Sequence, residues 1–329
     1  MRAAVTLVLT CLWTACHAPD VLLGSRGARN ALGVSDEARA DASAPQPSEA
    51  GASAAGAGGL WVQATNAGTG GVRPLAGQHG VAGSAGSTPE PSPSQGSVGC
   101  GRTRAADANS VQLGANIGRY VLDLPASYDG QTPLPLLFAL RGAEVSAESF
   151  RDYAGLVPVA GDEAIVVHPD ALNDASAWDV QRDSPYFQAL LAQMLERYCV
   201  DPGRVFVFGH AQGGQFASML ACKYGDTIRG ASLFAAPAPI PPCVGTPAML
   251  IGQGNVDRQL LVTMGRATRD FFAERNHCDT SIQAMVEPEP CVEYSGCDPT
   301  APVRYCEYDG ALGLPSFAAD AIWRFFRAL

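Results

Sequence analysis

The sequence predicts an α/β fold in which helices flank a mostly parallel central sheet. Between Cys100 and Leu329, short apolar runs alternate with longer segments of helical periodicity. Most of the short runs are continuously apolar or rich in β-branched residues, as in strands that are covered on both faces. The 329-residue chain is 47% hydrophobic and 16% charged, which supplies one sizeable core and excludes a collagen, a coiled coil and a multi-pass membrane protein.

Seven segments are predicted strands and two are predicted long helices. The strands are 119–124, 134–140, 164–168, 204–209, 228–235, 247–252 and 303–308. The helices, 184–198 and 315–329, each carry an apolar stripe at helical spacing, which indicates a face that packs on the sheet. These elements place one folded domain at residues 100–329.

The first sixteen residues, MRAAVTLVLTCLWTAC, have the layout of a secretory signal peptide, with Arg2 before an apolar run and small residues at its end. The run is too short to span a bilayer as a mature helix. Trp13-Thr14-Ala15-Cys16 resembles a bacterial lipobox, so Cys16 is a candidate for lipidation, with simple cleavage as the alternative. In both cases we expect an exported chain, with membrane contact only through a lipid anchor.

Residues 17–99 are dominated by Ala, Gly, Ser and Pro, as in GASAAGAGG at 51–59. Such a composition buries too little apolar surface to offset the entropy lost on ordering. We expect a tether between the envelope and the folded domain.

Outside the signal peptide the chain has eight cysteines, an even number that permits four disulfides. Since no CxxC pair or Cys/His spacing of a zinc site occurs among them, we expect disulfides formed in an oxidising compartment, no metal and no cofactor. The pairing is open, but the four cysteines within 278–306 are expected to staple a long loop.

The charge balance argues against nucleic acid as a partner. The chain has 22 basic and 32 acidic residues, a net charge of −10, whereas non-specific binding to phosphates requires a basic surface. We expect no nucleic-acid partner.

One turn carries the pattern of a catalytic motif with its reactive residue missing. An apolar run ends in Gly209-His210-Ala211-Gln212-Gly213, with helical periodicity after it. In a nucleophile elbow, G-x-S-x-G, the flanking residues are glycines because the turn is too tight for side chains. Here Ala211 occupies the central position, and these residues alone favour a plain strand-to-helix turn over a catalytic elbow.

Several longer segments extend this pattern: LDLPASYDG at 122–130, SFRDYAGLVPVAGDEAIVVHPD at 149–170, SAWDVQRDSPYF at 176–187, RYCVDPGRVFVFGH at 197–210 and PVRYCEYDG at 302–310. Through them, residues 100–329 resemble the secreted polyhydroxybutyrate depolymerase and feruloyl esterase family. The resemblance implies the α/β-hydrolase fold and a Ser-Asp-His triad, in that chain order, that cleaves polyester or aryl ester bonds.

Carried onto this sequence, the triad keeps only its acid. The nucleophile position falls on Ala211, which has no atom able to attack a carbonyl. The acid pattern G-x-x-D matches 254–257, so Asp257 is retained. The family run G-G-H-G-W-P reads GALGLP at 310–315, so the histidine position holds Leu312.

The other positions that the family implies are also altered. In the oxyanion loop, L-H-G-x-G-G-S reads LRGAEVS at 140–146, and the oxyanion donors would be the backbone N–H groups of Ala143 and Gln212. Four further substituted positions are expected to line the pocket: Arg141, Glu144, Gln253 and Leu314. A carboxylate at Glu144 would oppose a developing oxyanion.

No histidine follows Leu312 in the chain, and His277 is the only histidine in the sequence that follows Asp257. The five histidines are His17, His79, His168, His210 and His277. We expect His277 to have a structural role beside a disulfide, because it precedes Cys278 directly.

Three hypotheses follow. The first is an inactive pseudoenzyme that binds an ester-bearing polysaccharide or polyester. The second is an active carboxylic-ester hydrolase with a rearranged site, for example one that recruits Ser146 or Glu144. The third is an interaction protein in which Val145, Leu312 and Leu314 dock an envelope protein.

Overall fold

A computed structural model of the chain describes residues 96–102 and 109–329. The predicted signal peptide, the candidate lipidation site Cys16 and the predicted tether up to residue 95 lie outside the described residues. In the described ranges, every helix is too short or too polar to cross a membrane.

A ten-stranded sheet forms the centre of the described domain, in the order β1-β2-β4-β3-β5-β6-β7-β10-β9-β8. The strands are β1 (Ser110–Leu113), β2 (Asn116–Asp123), β3 (Leu134–Leu140), β4 (Ile165–Pro169), β5 (Val200–His210), β6 (Gly230–Phe234), β7 (Ala248–Gly254), β8 (Asp279–Met285), β9 (Cys291–Ser295) and β10 (Val303–Tyr308). The central run from β4 to β10 is parallel, and the strands at both ends are antiparallel. The predicted mostly parallel sheet is confirmed.

Helices cover both faces of the sheet. They are α1 (Ala147–Ala154), α2 (Leu156–Ala160), α3 (Val180–Arg197), α4 (Gln212–Lys223), α5 (Val262–Arg275) and α6 (Ala318–Arg327). One core cluster joins the sheet to α3, α4 and α5, through residues such as Leu190, Phe216 and Phe272. The other joins it to α1, α2 and α6 through residues such as Phe150 and Phe325. The carboxyl ends of the parallel strands, where the candidate site lies, are therefore positioned between two packed layers of helices.

The sequence pattern locates all seven predicted strands and both predicted helices, with shifts of a few residues at their ends. It misses β1, β8 and β9. Every residue of β8 is exposed, and β1 is only four residues long, so neither strand carries the apolar run that marks a buried one. These three strands lie at the two ends of the sheet, where fewer neighbours select apolar side chains.

The fold begins before Cys100, within residues that composition assigned to the tether. Ser97 is buried, its N–H donates to Val200 O at 2.7 Å and its hydroxyl donates to Tyr198 O at 2.7 Å. The N–H of Gly99 donates to Leu195 O at 3.0 Å. The domain boundary therefore lies at or before residue 96, because small polar residues such as these can be held by backbone hydrogen bonds without an apolar signal.

Four disulfides connect the eight cysteines: Cys100–Cys199, Cys222–Cys243, Cys278–Cys297 and Cys291–Cys306. The last two pairs lie within 278–306, which confirms the expected staple. Four disulfides in one domain indicate folding in an oxidising compartment and hence export.

The Cys100–Cys199 bond closes the longest loop, with a sequence separation of 99 residues, against 21 for Cys222–Cys243. Replacing both cysteines of the long loop by alanine should lower the free energy of unfolding by about 4 kcal/mol, since it releases more chain entropy in the unfolded state. Urea titration would measure this loss. The Cys222→Ala/Cys243→Ala pair is the matched control, and an equal or larger loss there would contradict the entropic explanation.

An ion pair fixes α1, the helix that carries two walls of the site. Arg151 of α1 donates from Nε to both oxygens of Asp123 at 2.8 Å, and the fully buried His168 ring lies 3.5 Å from the same carboxylate. Burial alone would raise the pKa of Asp123, but the contacts with His168 and Arg151 outweigh it and lower that pKa from 3.8 to about 2. The charged carboxylate therefore anchors α1 to β2.

This shift makes stability depend on pH. A carboxyl whose pKa is depressed in the folded state stabilises the fold above its unfolded pKa and loses that contribution as pH falls toward its folded pKa. Between about pH 4.5 and 2, the free energy of unfolding should therefore drop by about 1–2 kcal/mol on account of Asp123, allowing for its partial exposure. Asp123→Asn should flatten this part of the profile. Asp152→Asn, which removes an exposed carboxylate 3.1 Å from the same arginine, should leave it unchanged.

Candidate functional site

The turn between β5 and α4 has the geometry of a nucleophile elbow, with a methyl group in place of a nucleophile. Ala211 adopts φ 52° and ψ −117°, a backbone conformation that is strained for a residue with a side chain. Its N–H donates to Phe234 O at 3.0 Å, and its carbonyl accepts the N–H of Gln215 at 2.9 Å. The predicted strand-turn-helix context is present, and the residue at its tip cannot attack a carbonyl.

Packing, and not chemistry, requires the two glycines of this turn. A Cβ atom on Gly209 would lie 2.2 Å from the carbonyl oxygen of Gly213, and one on Gly213 would lie 2.1 Å from the carbonyl oxygen of Leu140. Both contacts are with backbone, which cannot move aside. The packing of these two glycines therefore does not involve the side chain at position 211.

Asp257 lies directly after β7 and is 4% exposed. Its Oδ1 accepts the N–H groups of Gln259 at 2.8 Å and Leu260 at 3.0 Å, which orders the loop that follows β7. Its Oδ2 is buried and has no hydrogen-bond partner in the described residues. A buried oxygen without a donor is uncommon, so this oxygen can still accept a hydrogen bond.

Leu312 lies in the loop 309–317, which main-chain contacts hold against the elbow. The Leu312 carbonyl accepts a hydrogen bond from Nε2 of His210 at 2.6 Å. The N–H of Leu314 donates to the Tyr153 hydroxyl at 2.7 Å, and the Tyr308 hydroxyl donates to Gly313 O at 3.1 Å. None of these contacts uses the side chain at 312, so the loop can keep its place with leucine there.

His210 precedes the elbow alanine and does not replace the missing base. It is 8% exposed, and burial lowers its pKa against smaller opposite effects of the Leu312 carbonyl and the Asp257 charge. Its Nε2 hydrogen is used by the bond to Leu312. The neutral ring forms part of the cavity wall and holds the loop 309–317 through its hydrogen bond to Leu312.

A cavity of about 580 Å³ opens above Ala211. Its walls are Phe150 and Tyr153 of α1, the elbow, Gln259, and parts of two loops: Gly142, Ala143 and Val145 after β3, and Leu312 and Gly313 after β10. Most of this lining is apolar, and among the described residues no lysine, arginine, aspartate or glutamate belongs to it. The cavity can therefore enclose an apolar group of small-ligand size.

Ala143 and Gln212, the predicted oxyanion-hole residues, both line this cavity. Within the described residues, neither backbone N–H group donates to an acceptor in the protein. Gln212 also begins α4, whose amino end carries a partial positive charge. The two predicted residues therefore lie at one cavity, and their role as oxyanion donors stays a prediction.

Arg141 does not line the pocket as predicted. It is 3% exposed and turns away from the cavity, donating to Asp170 Oδ1 at 2.7 Å and to Ala175 O at 2.7 Å, with a further bond to Ser176 O at 3.2 Å. Its own carbonyl accepts Nε1 of Trp178 at 2.9 Å. The Arg141 side chain points toward its ion-pair partner Asp170 and not into the cavity. The sequence does not show this direction, because Asp170 is distant along the chain.

The other three predicted pocket residues also lie beside the cavity and not in its walls. Glu144 is exposed, has φ 60° and lines a neighbouring cleft of about 450 Å³. Gln253 is fully buried, donates to Leu260 O at 2.8 Å and packs under α5, where a Cβ on Gly265 would lie 2.5 Å from its Cγ. Leu314 packs against the core on the side of α1, α2 and α6.

Sequence reasoning missed Phe150, Tyr153 and Gln259 as cavity residues. Phe150 and Tyr153 are three positions apart on α1 and so share one face of that helix, which is the only signal they give. Gln259 follows the acid by two residues, and its N–H is held by Asp257. Their roles depend on how α1 and the acid loop fold over the elbow.

Two other candidate residues have structural roles. The Ser146 hydroxyl accepts the N–H of Ser149 at 3.2 Å as the N-cap of α1, and it lines the neighbouring cleft. His277 lies 3.1 Å from Asp298 beside the Cys278–Cys297 disulfide, as expected. In the ranges 96–102 and 109–329, no three His, Cys, Asp or Glu side chains are grouped so that they could hold a metal ion.

Known proteins are similar in sequence to this chain over most of the described domain. Feruloyl esterase C of Emericella nidulans is 30% identical over 251 residues, which cover 70% of this chain and 91% of that protein. The chain belongs to the feruloyl esterase and polyhydroxybutyrate depolymerase-like family of α/β-hydrolases. Feruloyl esterase D of Neurospora crassa is 28% identical over 262 residues, 70% of this chain and 89% of that protein.

This membership of the feruloyl esterase family confirms the resemblance that the sequence segments carry. Among solved structures, an acetyl xylan esterase from Aspergillus awamori has the same fold, with a TM-score of 0.53 at 13% identity over 64% of this chain and 94% of that one. The α/β-hydrolase fold is thereby confirmed. No family model matches the chain.

The close packing of Gly213 against the backbone of Leu140 predicts how a substitution at 213 changes the stability of this feruloyl esterase family member. Gly213→Ala should lower the free energy of unfolding by about 2–3 kcal/mol, because its Cβ would lie 2.1 Å from a backbone oxygen of Leu140. Gly142→Ala is the control, since its Cβ would find its nearest atoms at 3.9 Å. Chemical denaturation measures both, and equal losses would show that the glycine at 213 is not required by packing.

Proposed function

We propose that this chain is a catalytically silent family member that binds an ester-bearing ligand in the cavity above Ala211 without cleaving it. The observation that carries the proposal is the alanine at the tip of an otherwise intact elbow. A methyl group forms no acyl-enzyme. The cavity and both backbone donors support the retention of binding.

The expected loss of turnover is large enough to favour an inactive chain over a weakly active one. Loss of a serine or histidine of such a triad lowers turnover by about 10⁴- to 10⁶-fold, and the losses are not additive. Here both positions lack a functional group, since Leu312 cannot move a proton. The natural chain should therefore hydrolyse esters no faster than about 10⁻⁴ of the rate of an intact site.

The alternative of a rearranged hydrolase lacks support from its two candidate residues. The Ser146 hydroxyl caps α1, and no histidine contacts it among the hydrogen bonds of the described residues. Glu144 is exposed beside a different cleft and has no base or acid partner in the cavity. A serine without a general base is a poor nucleophile.

The relatives indicate the kind of ligand to try first. They are feruloyl esterases, and a bifunctional acetylxylan esterase/xylanase of Neocallimastix patriciarum is 26% identical over 209 residues. We propose an ester-substituted polysaccharide as the ligand, with its apolar ester group in the cavity. A polyester or an envelope protein that inserts an apolar side chain is the alternative occupant. Export with Cys16 as a lipid anchor would keep this binding at the envelope.

Restoring the two missing groups tests silence directly. The double variant Ala211→Ser/Leu312→His should hydrolyse p-nitrophenyl acetate and methyl ferulate at least 100-fold faster than the natural chain, because Asp257 Oδ2 is free to orient the new imidazole. The natural chain should stay at the buffer background. Stopped assays of product release measure both rates.

Three control variants define the result. Ala211→Ser alone and Leu312→His alone should stay near background, and Asp257→Asn in the double variant should lower its kcat. Hydrolysis by the natural chain above background would overturn the proposal. An inert but folded double variant would show that the site is remodelled beyond these two residues, and would favour a protein partner over an ester ligand.

A further inference from the structure

We propose, on the basis of the proposed function, that the cavity accepts the uncharged form of an acyl ligand, an ester or amide, and rejects the corresponding free carboxylate. The silent site would thus distinguish an intact ester from the acid released by its hydrolysis. This selectivity is a property of the chain's altered residues and follows from the charges around the cavity.

The first step concerns what the walls offer to a carbonyl group. Two N–H donors without protein acceptors, those of Ala143 and Gln212, reach the cavity and can bind one carbonyl oxygen. Both an ester and a carboxylate could use them. The donors alone therefore do not discriminate.

The second step concerns compensation of charge. In the part of the chain that the structure describes, no arginine, lysine or other charged side chain lines the cavity, whose walls are mostly apolar. The nearest arginine in the sequence, Arg141, is turned away and paired with Asp170. A carboxylate that left water for this cavity would lose its hydration without gaining a cation, whereas a neutral carbonyl has far less hydration to lose.

The third step is the position of the Asp257 carboxyl group. Its Oδ2 is buried and has no hydrogen-bond donor in the described residues. Burial lowers the pKa of His210 and raises that of Tyr308, and in both cases the nearby Asp257 adds a smaller upward effect, which shows that this carboxyl group lies close to His210 in the cavity wall. An anion in the cavity would face this charge across a medium of low polarity.

The amino end of α4 acts in the opposite direction but is weaker. A helix terminus is equivalent to roughly half an elementary charge, which falls off within the first turn. A carboxyl group in its ionised form carries a full charge, and the exposed Glu144 adds a second, solvent-screened one at the loop. The balance favours neutral ligands. The family resemblance places a histidine at position 312, where Leu312 offers Asp257 no cationic partner, so this position contributes to the selectivity.

A matched set of ligands tests this inference on the natural full-length chain. The probes are methyl 3-phenylpropanoate, 3-phenylpropanamide and 3-phenylpropanoate, which share one apolar body and differ in charge. Isothermal titration calorimetry at pH 7 should give an affinity for the acid that is about 30-fold or more below that for the amide. As pH falls toward the pKa of the acid itself, the acid should approach the amide, whose own affinity serves as the reference.

Variants identify the charge that is responsible. Asp257→Asn, which keeps an oxygen for the Gln259 and Leu260 N–H groups, should reduce the amide-to-acid affinity ratio by about 10-fold. Glu148→Gln, which removes an exposed carboxylate of the neighbouring cleft, should leave the ratio unchanged. Thermal unfolding checks that each variant is folded, and the pH series on the natural chain tests the inference if Asp257→Asn is not.

The outcomes separate this inference from the proposed function. Equal affinity for amide and acid, or tighter binding of the acid, would overturn the charge selectivity and leave the silent binding site standing. An unchanged ratio in a folded Asp257→Asn variant would show that Asp257 is not its source. If none of the three probes binds while the double variant of the preceding subsection hydrolyses esters, the silent site is not a receptor for small acyl compounds, and the inference fails with that part of the proposal.

Discussion

The close approach of the turn at 209–213 to the end of β3 is the constraint on which the rest of the site depends. Gly213 lies against the carbonyl of Leu140, and Gly209 lies against Gly213, so the elbow and the loop that follows β3 form one packed unit. That loop carries Ala143, and the elbow carries Gln212. The positions of both predicted oxyanion donors therefore depend on backbone packing. The contacts of Gly209 and Gly213 are with backbone atoms and not with the side chain at 211, so this packing is compatible with alanine at the tip of the elbow.

The strain at Ala211 belongs to the same unit. A positive φ at a non-glycine residue costs about 1 kcal/mol or more, and in an active hydrolase it presents the nucleophile to substrate. In this chain the same conformation presents only the methyl group of Ala211. The strain is held in place by the hydrogen bonds of Ala211 to Phe234 and Gln215 and by the glycines on either side. It is thus a consequence of the scaffold, and it does not by itself indicate catalysis.

The sequence predicted the parts of the molecule that burial controls. The parallel strands are apolar because both faces of the sheet are covered. Their alternation with helices along the chain predicts that the sheet is mostly parallel. The elbow was visible because glycine is required there. The direction of Arg141 and the burial of Ser97 were not predictable, since each depends on a partner distant in sequence: Asp170 for the first, Val200 and Tyr198 for the second. The cavity wall formed by Phe150 and Tyr153 of α1 was missed. Two aromatic residues on one face of an eight-residue helix can equally well pack in the core, so the sequence does not mark them as cavity residues.

With leucine at position 312, Asp257 keeps a structural role in the loop after β7. One of its oxygens accepts the Gln259 and Leu260 N–H groups and so orders that loop. The other oxygen is buried and accepts no hydrogen bond from the described residues. In an active triad the imidazolium that forms during reaction balances the charge of the acid. Leu312 supplies no such balance, so under the proposed silent binding the Asp257 carboxyl group acts on any ligand that enters the cavity. A residue that the fold needs can in this way also influence the binding selectivity of the proposed site.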